Sequence, residues 1–327
     1  MSESELGLIA RIARIARVRP GVSLGIGDDA AVLDGAPPVV VAQDLLVDDV
    51  HFRRTTSSFT EIGHKAVAVN LSDLAAMGAT PVAVFIGLGL PTTDPLSDAD
   101  IDALYSGMEA LAAQHGVTIA GGDITTAPSL LLAVTAVGQM RDGLAPARRS
   151  GAQPGDVVCV TGSLGGAAAG LVILDRPELA TECVDADALR SASRTPTPRV
   201  DEGRALAGAG VTAMMDCSDG LGLDASRMAE ASGVGMVLDV DRVPVARGVA
   251  HVASRLGTFP DMLATTGGDD YELLVTTPSD RVAHLQGILS IPLTVVGRVT
   301  DGSGLTLLRN GEVVDAPTLG WEHHFTS

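Results

Sequence analysis

One segment decides how this chain is organised: residues 59–77 read FTEIGHKAVAVNLSDLAAM. Apolar residues recur there at helical spacing, so the segment predicts a helix. Lys65 and Asp73 fall two turns apart on one face of that helix. The stretch from Asn70 to Leu74 adds a polar cluster to an otherwise apolar helix, and burial of such groups is unfavourable unless something binds them. We therefore expect this helix to contribute to a functional site.

Asp73 belongs to one of six short acidic motifs, which occur where an apolar run meets a turn or where a helix begins. They are Gly27-Asp28-Asp29, Gln43-Asp44, Ser72-Asp73, Gly122-Asp123, Asp216-Cys217-Ser218-Asp219 and Gly268-Asp269-Asp270. Gly27-Asp28-Asp29 alone is more often a turn or a helix cap than a ligand, and for Gln43-Asp44 a turn and a ligand are about equally good interpretations. Two carboxylates about 4 Å apart repel by roughly 4 kcal/mol at an effective dielectric near 20, so carboxylates that converge need cations. Oxygen ligands favour magnesium or calcium, and magnesium commonly links carboxylates to substrate phosphates.

A seventh segment offers backbone groups rather than carboxylates. Residues 156–166 run from an apolar strand through glycines into an alanine-rich helix. Free N–H groups at such a helix start could hold a phosphate, while a helix start capped by Ser163 is an equally good interpretation. Cys217 is better explained as a strand-end thiol than as a nucleophile.

Composition excludes several classes of protein. The chain has 327 residues, of which 46% are hydrophobic and 19% charged, enough for two globular domains. Its longest apolar run, Val82 to Leu90, is far shorter than the roughly 20 residues that cross a bilayer. Arginines interrupt the apolar residues near the N-terminus, which predicts an amphipathic helix from Ser4 to Arg17 and not a signal peptide.

Charge and cysteine content narrow the choice further. A net charge of −18 with one tryptophan, two tyrosines and five phenylalanines argues against a nucleic-acid surface. The three cysteines are too far apart for a zinc pattern and odd in number for a disulfide framework, so we expect a reducing, cytoplasmic setting. Lys65 is the only lysine and precedes Ala66. A Walker A loop and a protein-kinase site both require a lysine in another context, so both are excluded in their usual form.

Periodicity predicts alternating strands and helices, and thus an α/β or α+β fold. The predicted strands are Val39 to Gln43, Val82 to Leu90, Leu130 to Gln139, Asp156 to Thr161, Val211 to Met215, Gly235 to Val240, Tyr271 to Thr277 and Leu293 to Val299. Further helices are predicted at Asp98 to His115, Gly165 to Leu174, Arg199 to Ala209, Leu221 to Ser232 and Asp280 to Leu289. Asn310-Gly311 predicts a hairpin with a type I′ turn between Leu305 and Val314. A polar stretch from Arg141 to Pro154 divides the chain into two halves.

The ordered motifs resemble those of the thiamine-monophosphate kinase family, within the superfamily of aminoimidazole ribonucleotide synthetase and selenophosphate synthetase. The resemblance covers almost the full length and adds Arg149-Ser-Gly-Ala-Gln-Pro-Gly-Asp156 to the acidic motifs. It implies an N-terminal ATP- and magnesium-binding domain, residues 1–143, that pairs with its counterpart in a homodimer. Residues 144–327 would form a C-terminal domain that closes the active-site cleft.

The resemblance also implies roles for individual residues. Magnesium ions, expected to be several, would be held by Asp29, Asp44, Asp73, Asp123, Asp216 and Asp219. ATP would be contacted by Gly122, Arg149, Ser218 and Tyr105. Thiamine monophosphate would be bound by His51, Asp269 and Trp321. The chain departs from the family at Ala42-Gln43, where Ser/Thr residues are usual, and at Asp269, where glutamate is common, so Asp269 would reach its substrate directly or through water.

The chemistry that follows is direct phosphoryl transfer. The second pKa of a phosphate monoester is near 6, so thiamine monophosphate is mostly a dianion at neutral pH and needs no general base. Magnesium would screen the repulsion between that dianion and ATP, giving thiamine diphosphate and ADP without a phosphoenzyme. Two alternatives remain at this stage: another ATP-dependent synthetase of the superfamily, or a catalytically silent nucleotide-binding regulator.

Overall fold

The computed structural model describes residues 21–24, 26–316 and 318–322. The predicted helix from Ser4 to Arg17 lies outside these residues. Two sheets and the helices packed on them form the described chain, which matches the expected mixed α/β class. None of the described helices is long and apolar enough to cross a membrane.

The first sheet has six strands in the order β1-β2-β3-β6-β4-β5. Its strands are β1 Val22–Leu24, β2 Ala31–Leu33, β3 Val39–Val47, β4 Thr80–Pro91, β5 Thr118–Ala127 and β6 Leu131–Gln139. All its neighbouring strands are antiparallel except β4 and β5, which run parallel. Two helices belong to this half, α1 Phe59–Ala76 and α2 Asp98–Gln114. Each begins with a capping box, in which Ser58 and Glu61 cap α1 and Ser97 and Asp100 cap α2.

The second sheet has seven strands in the order β13-β12-β9-β11-β7-β10-β8. Its strands are β7 Val157–Thr161, β8 Ala213–Asp216, β9 Gly235–Asp239, β10 Leu273–Thr277, β11 Leu293–Thr300, β12 Gly304–Arg309 and β13 Glu312–Val313. The helices of this half are α3 Gly166–Asp175, α4 Ala186–Arg194, α5 Val200–Ala209, α6 Leu221–Ser232, α7 Val249–Leu256, α8 Pro260–Thr266 and α9 Val282–Ile288. The predicted hairpin is confirmed, because β12 and β13 pair and both Asn310 and Gly311 have positive φ.

Helix α1 lies between the two halves. It contacts β3 and β6 on one side and α5 and β8 on the other, and α2 packs beside it. One core cluster accordingly joins Leu71 and Leu74 of α1 with Met214 and Leu273 of the second sheet. A Cβ added to Gly203 of α5 would lie 2.1 Å from the backbone oxygen of Ala75, so α5 can approach α1 this closely only with glycine there.

Several elements differ from the sequence prediction. Strands β1, β2 and β5 and helices α4, α7 and α8 were not predicted. Gly122 is needed for pairing rather than for a turn, since a Cβ there would lie 1.9 Å from the backbone oxygen of Ile86 on β4. Such a strand interior glycine marks a close backbone approach.

Candidate metal and nucleotide site

Three carboxylates from distant parts of the chain meet between the two halves. Oxygen atoms of Asp29, Asp73 and Asp216 all lie within 4.8 Å of one another. Asp29 precedes β2, Asp73 lies in the last turns of α1, and Asp216 ends β8. Since α1 packs against both β3 and β8, the fold brings the three together without any long loop. This cluster is the part of the predicted metal set that the structure assembles most closely.

Burial and mutual repulsion favour protonation of this cluster when it has no cation. Burial, together with the charges of Asp44, Asp216 and Asp29, raises the pKa of Asp73 well above its usual value. Burial and the charge of Asp29 do the same for the pKa of Asp216. Burial raises the pKa of Asp44 to about 6, with further contributions from Asp219 and Asp29. Asp44 and Asp219 are therefore close enough to the three to share their field.

Among the described residues, Arg149 pairs directly with one of the three carboxylates. Its Nε and Nη2 donate to the two oxygens of Asp29 at 3.1 and 2.8 Å, and the Asp29 side chain is fully buried. The backbone N–H of Arg149 also donates to Asp28. Burial and the neighbouring charge of Asp29 raise the pKa of Asp28 to about 6. Arg149, predicted to contact ATP, thus lies at the edge of the carboxylate cluster and neutralises part of it.

The polar residues of α1 support the cluster. Ser72 donates its hydroxyl to Asp216 at 2.5 Å. The side-chain oxygen of Asn70 accepts the backbone N–H of Asp44 at 3.1 Å, while its amide nitrogen donates to the carbonyl of Ala66. These contacts satisfy groups whose burial would otherwise be unfavourable. The polar stretch therefore orients two predicted metal ligands in addition to providing a third.

Asp219 belongs to a second acidic group that the sequence did not reveal in full. Arg227 of α6 donates to both Asp219 and Asp224. Asp224 is fully buried and accepts the backbone N–H groups of Asp219 and Gly220 at 3.2 and 3.1 Å. Burial, followed by the charge of Asp219, raises the pKa of Asp224 to about 8. The signal that could have found Asp224 is its place in an apolar helix, five residues after Asp219.

Not all predicted residues reach this cluster. Asp123 lies exposed on the edge strand β5, opposite Gly87 of β4, and it is not in the described cluster. Tyr105 lies on α2 and packs against the first core, where burial raises the pKa of its hydroxyl. No described hydrogen bond joins either residue to the three clustered aspartates.

The three predicted substrate residues occupy neighbouring positions. Nζ of Lys65 donates to the side chain of Asp269 at 2.8 Å and to the backbone oxygen of His51 at 3.2 Å. The backbone N–H of Trp321 donates to the carbonyl of Asp219, and its indole is exposed. The backbone N–H of Asp269 donates to the backbone carbonyl of Ser218 at 2.7 Å. Segments predicted to hold metal, ATP and substrate therefore adjoin one another.

The helix start predicted to hold a phosphate is occupied by one of the chain's own carboxylates. Asp270 accepts the N–H groups of Gly165 and Ala167 at 2.6 and 3.1 Å. Ser163 makes no capping bond to α3, so the alternative prediction of a helix start capped by Ser163 was wrong. Burial raises the pKa of Asp270 to about 7 even though these two bonds favour its charged form.

Replacing Asp270 with alanine should therefore lower the free energy of unfolding by about 2 kcal/mol or more, because two N–H groups would lose their acceptor. Asp270→Asn should lose less, since the amide oxygen can still accept. Urea unfolding followed by circular dichroism measures both. A loss in Asp270→Ala no larger than in Asp270→Asn would show that the cap contributes little.

Comparison with known proteins identifies the family. The description of an AIR synthase related protein, N-terminal domain, matches residues 27–140, and that of the C-terminal domain matches residues 153–310. Thiamine-monophosphate kinase of Mycobacterium tuberculosis is 37% identical over 94% of this chain and 88% of its own length. The chain belongs to the thiamine-monophosphate kinase family.

Solved structures of this family agree with the fold. A thiamine-monophosphate kinase from Stenotrophomonas maltophilia is 40% identical, with a TM-score of 0.77 over 96% of this chain and 99% of its own. A structure described as AaThiL complexed with AMPPCP and TMP is 29% identical and has a TM-score of 0.85 over 98% and 97% of the two chains. The family resemblance of this chain and its two-domain fold, both predicted from the motifs, are thus confirmed.

Proposed function

We infer that this chain transfers a phosphoryl group from ATP to thiamine monophosphate. The cluster of Asp29, Asp73 and Asp216 carries the inference, since it offers only oxygen ligands within 4.8 Å of one another. The reaction is the one named by relatives that match nearly the whole chain, and AMPPCP and TMP are named in the structure of one of them. A site of buried carboxylates suits a reaction whose substrates both carry phosphate.

The donor set fits magnesium. Magnesium prefers oxygen ligands and is usually bound by a few carboxylates together with substrate phosphates. The residues that would hold it are Asp29, Asp44, Asp73, Asp216 and Asp219, with Asp123 as the proposed sixth ligand. When bound, magnesium supplies charge neutralisation for the phosphates of both substrates. The raised pKa values of Asp44 and Asp73 support this assignment, because they show how unfavourable the cluster is without a cation.

The chain's own residues then position the substrates. Arg149 already faces the cluster and can pair with ATP phosphates as it now pairs with Asp29. Gly122, Ser218 and Tyr105 complete the proposed ATP contacts. Thiamine monophosphate would lie against His51, Asp269 and Trp321, the group that adjoins the cluster through Ser218 and Asp219. Its phosphate is a dianion at neutral pH, so transfer in line to the acceptor oxygen requires no general base and no phosphoenzyme.

The proposal includes the assembly and setting of the chain. The first sheet exposes apolar side chains at Leu45, Val82, Phe85 and Ile124, and its edge strand β5 is ten residues long. An open edge and an apolar surface of this kind support pairing of two copies through residues 1–143. Residues 144–327 would close over the cleft. All three cysteines are free and buried, which supports a cytoplasmic setting.

Incubating the purified protein with ATP, magnesium and thiamine monophosphate should yield thiamine diphosphate and ADP in equal amounts. Thiochrome fluorescence detects the diphosphate, and a coupled assay measures ADP. Chelation of the divalent ions should abolish both products, and omission of thiamine monophosphate should leave ATP intact. ATP binding without any thiamine diphosphate at saturating substrates would instead support the silent nucleotide-binding regulator.

A further inference from the structure

The only lysine of the chain is buried and hydrogen-bonded to two residues. Lys65 is 6% exposed, and its ammonium donates to a carboxylate oxygen of Asp269 at 2.8 Å and to the backbone oxygen of His51 at 3.2 Å. A buried charge is tolerated only where it is paired and hydrogen-bonded, and here both conditions hold. One side chain therefore links two residues of the proposed acceptor-substrate group.

These two partners come from different halves of the molecule. His51 follows β3 of the first sheet, and its Nδ1 accepts the backbone N–H of Val47 at 3.0 Å. Asp269 precedes β10 of the second sheet. Lys65 lies on α1, the helix in contact with both sheets. Lys65 therefore connects His51 of the first half with Asp269 of the second half.

The carboxylate of Asp269 is fixed at both of its oxygens. The ammonium of Lys65 donates to one carboxylate oxygen, and the hydroxyl of Tyr271 donates to the other at 2.9 Å. Asp269 and Tyr271 both have positive φ, of 68° and 52°, conformations that non-glycine residues keep only when their surroundings hold them. The Asp269 side chain is nevertheless 39% exposed. A carboxylate that is rigidly held yet open to solvent is well suited to contact a ligand.

We propose that Lys65 is a positioning residue for thiamine monophosphate. It holds Asp269 and the backbone at His51 in the arrangement that receives the acceptor substrate, and it neutralises the Asp269 carboxylate where a phosphate dianion must approach. Lys65 acts through these two residues and has no part in ATP binding. The inference rests on the proposed function and deepens it, because it names what sets the geometry of the acceptor site.

Lys65→Met tests this role in the full-length protein with magnesium present. A hydrogen bond to a charged group contributes about 1.5–3 kcal/mol, so KM for thiamine monophosphate should rise by roughly 10-fold to 100-fold. KM for ATP should change by less than about 2-fold, since the interaction is lost only on the acceptor side. Lys65→Arg, which keeps a cation that can pair with Asp269, should recover much of the affinity.

Two further variants separate positioning from stability. Arg309→Met breaks a half-buried ion pair with Asp261, so it should lower the unfolding temperature and leave both KM values unchanged. Tyr271→Phe removes only the hydroxyl bond to Asp269 and should raise KM for thiamine monophosphate by roughly 3-fold to 10-fold, even where Lys65→Met fails to fold. Equal changes in both KM values, or no change in Tyr271→Phe, would overturn the proposal. Absence of thiamine diphosphate with the unaltered protein would instead overturn the proposed function.

Discussion

Asp73→Asn should reduce kcat by about 1,000-fold or more while the chain keeps its fold. A factor of 1,000 corresponds to roughly 4 kcal/mol of transition-state stabilisation, which is of the size that metal-assisted charge neutralisation provides. Asp73 is the member of the cluster that lies on α1, and its pKa is raised by burial and by Asp44, Asp216 and Asp29, so it shares the field of every neighbouring carboxylate. Steady-state kinetics and titration with magnesium by calorimetry measure the two losses.

Asp102→Asn is the matched control for this prediction. Asp102 also lies on a helix, α2, but it is exposed and does not belong to the described cluster, so the kcat of Asp102→Asn should stay within about 2-fold of that of the unaltered protein. Circular dichroism should show the same helix content in both variants. Turnover retained by Asp73→Asn would remove Asp73 from the metal site, and an equal loss in Asp102→Asn would point to an indirect effect.

The second large effect is a pH-dependent stability difference between the unaltered protein and Asp44→Asn when metal is removed. The pKa of Asp44 is about 6 in the folded chain and 3.8 in a model peptide, so the folded state holds this proton more tightly than the unfolded state. Its stabilising contribution is therefore present at low pH and is lost as pH rises through 6. Between pH 5 and pH 8 the unaltered protein should lose about 1.4 kcal/mol that Asp44→Asn does not lose.

Urea unfolding in the presence of a chelator at several pH values measures this difference. At pH 8, millimolar magnesium should shift the stability difference in favour of the unaltered protein, because a cation that binds only the folded state stabilises the unaltered protein more than the variant. Asp102→Asn is the control variant in the same experiment. A stability difference that is constant from pH 5 to pH 8 would show that Asp44 titrates normally.

Local patterns in the sequence singled out the three carboxylates that the structure brings together. Asp29, Asp73 and Asp216 each follow or interrupt an apolar segment, and the ends of such segments meet once strands and helices form two packed layers. The bounds of α6 were predicted to the residue because apolar spacing continues without a break from Leu221 to Ser232. The family resemblance came from the order and spacing of the motifs, because periodicity alone does not identify a family.

Contacts between residues far apart in the sequence could not be predicted from local patterns. The pairing of Lys65 with Asp269 joins residues 204 positions apart, and that of Asp270 with Gly165 joins residues 105 apart. In both pairs, the sequence around one residue gives no indication of its partner. Strand β5 was not predicted either, and its demand for glycine at position 122 comes from β4 alongside. Tertiary contacts overrode the local preference in each case.

Helix α1 fixes the distance between Lys65 and Asp73. Lys65 and Asp73 are eight residues apart on it, which corresponds to about 12 Å along the axis of an α-helix. The proposed anchor for the acceptor substrate and the proposed anchor for the metal are therefore separated by a length that the rigid helix sets, whatever the angle between the two sheets. Lengthening α1 by one residue between Lys65 and Asp73 would move the two anchors apart by about 1.5 Å and rotate one against the other by about 100°.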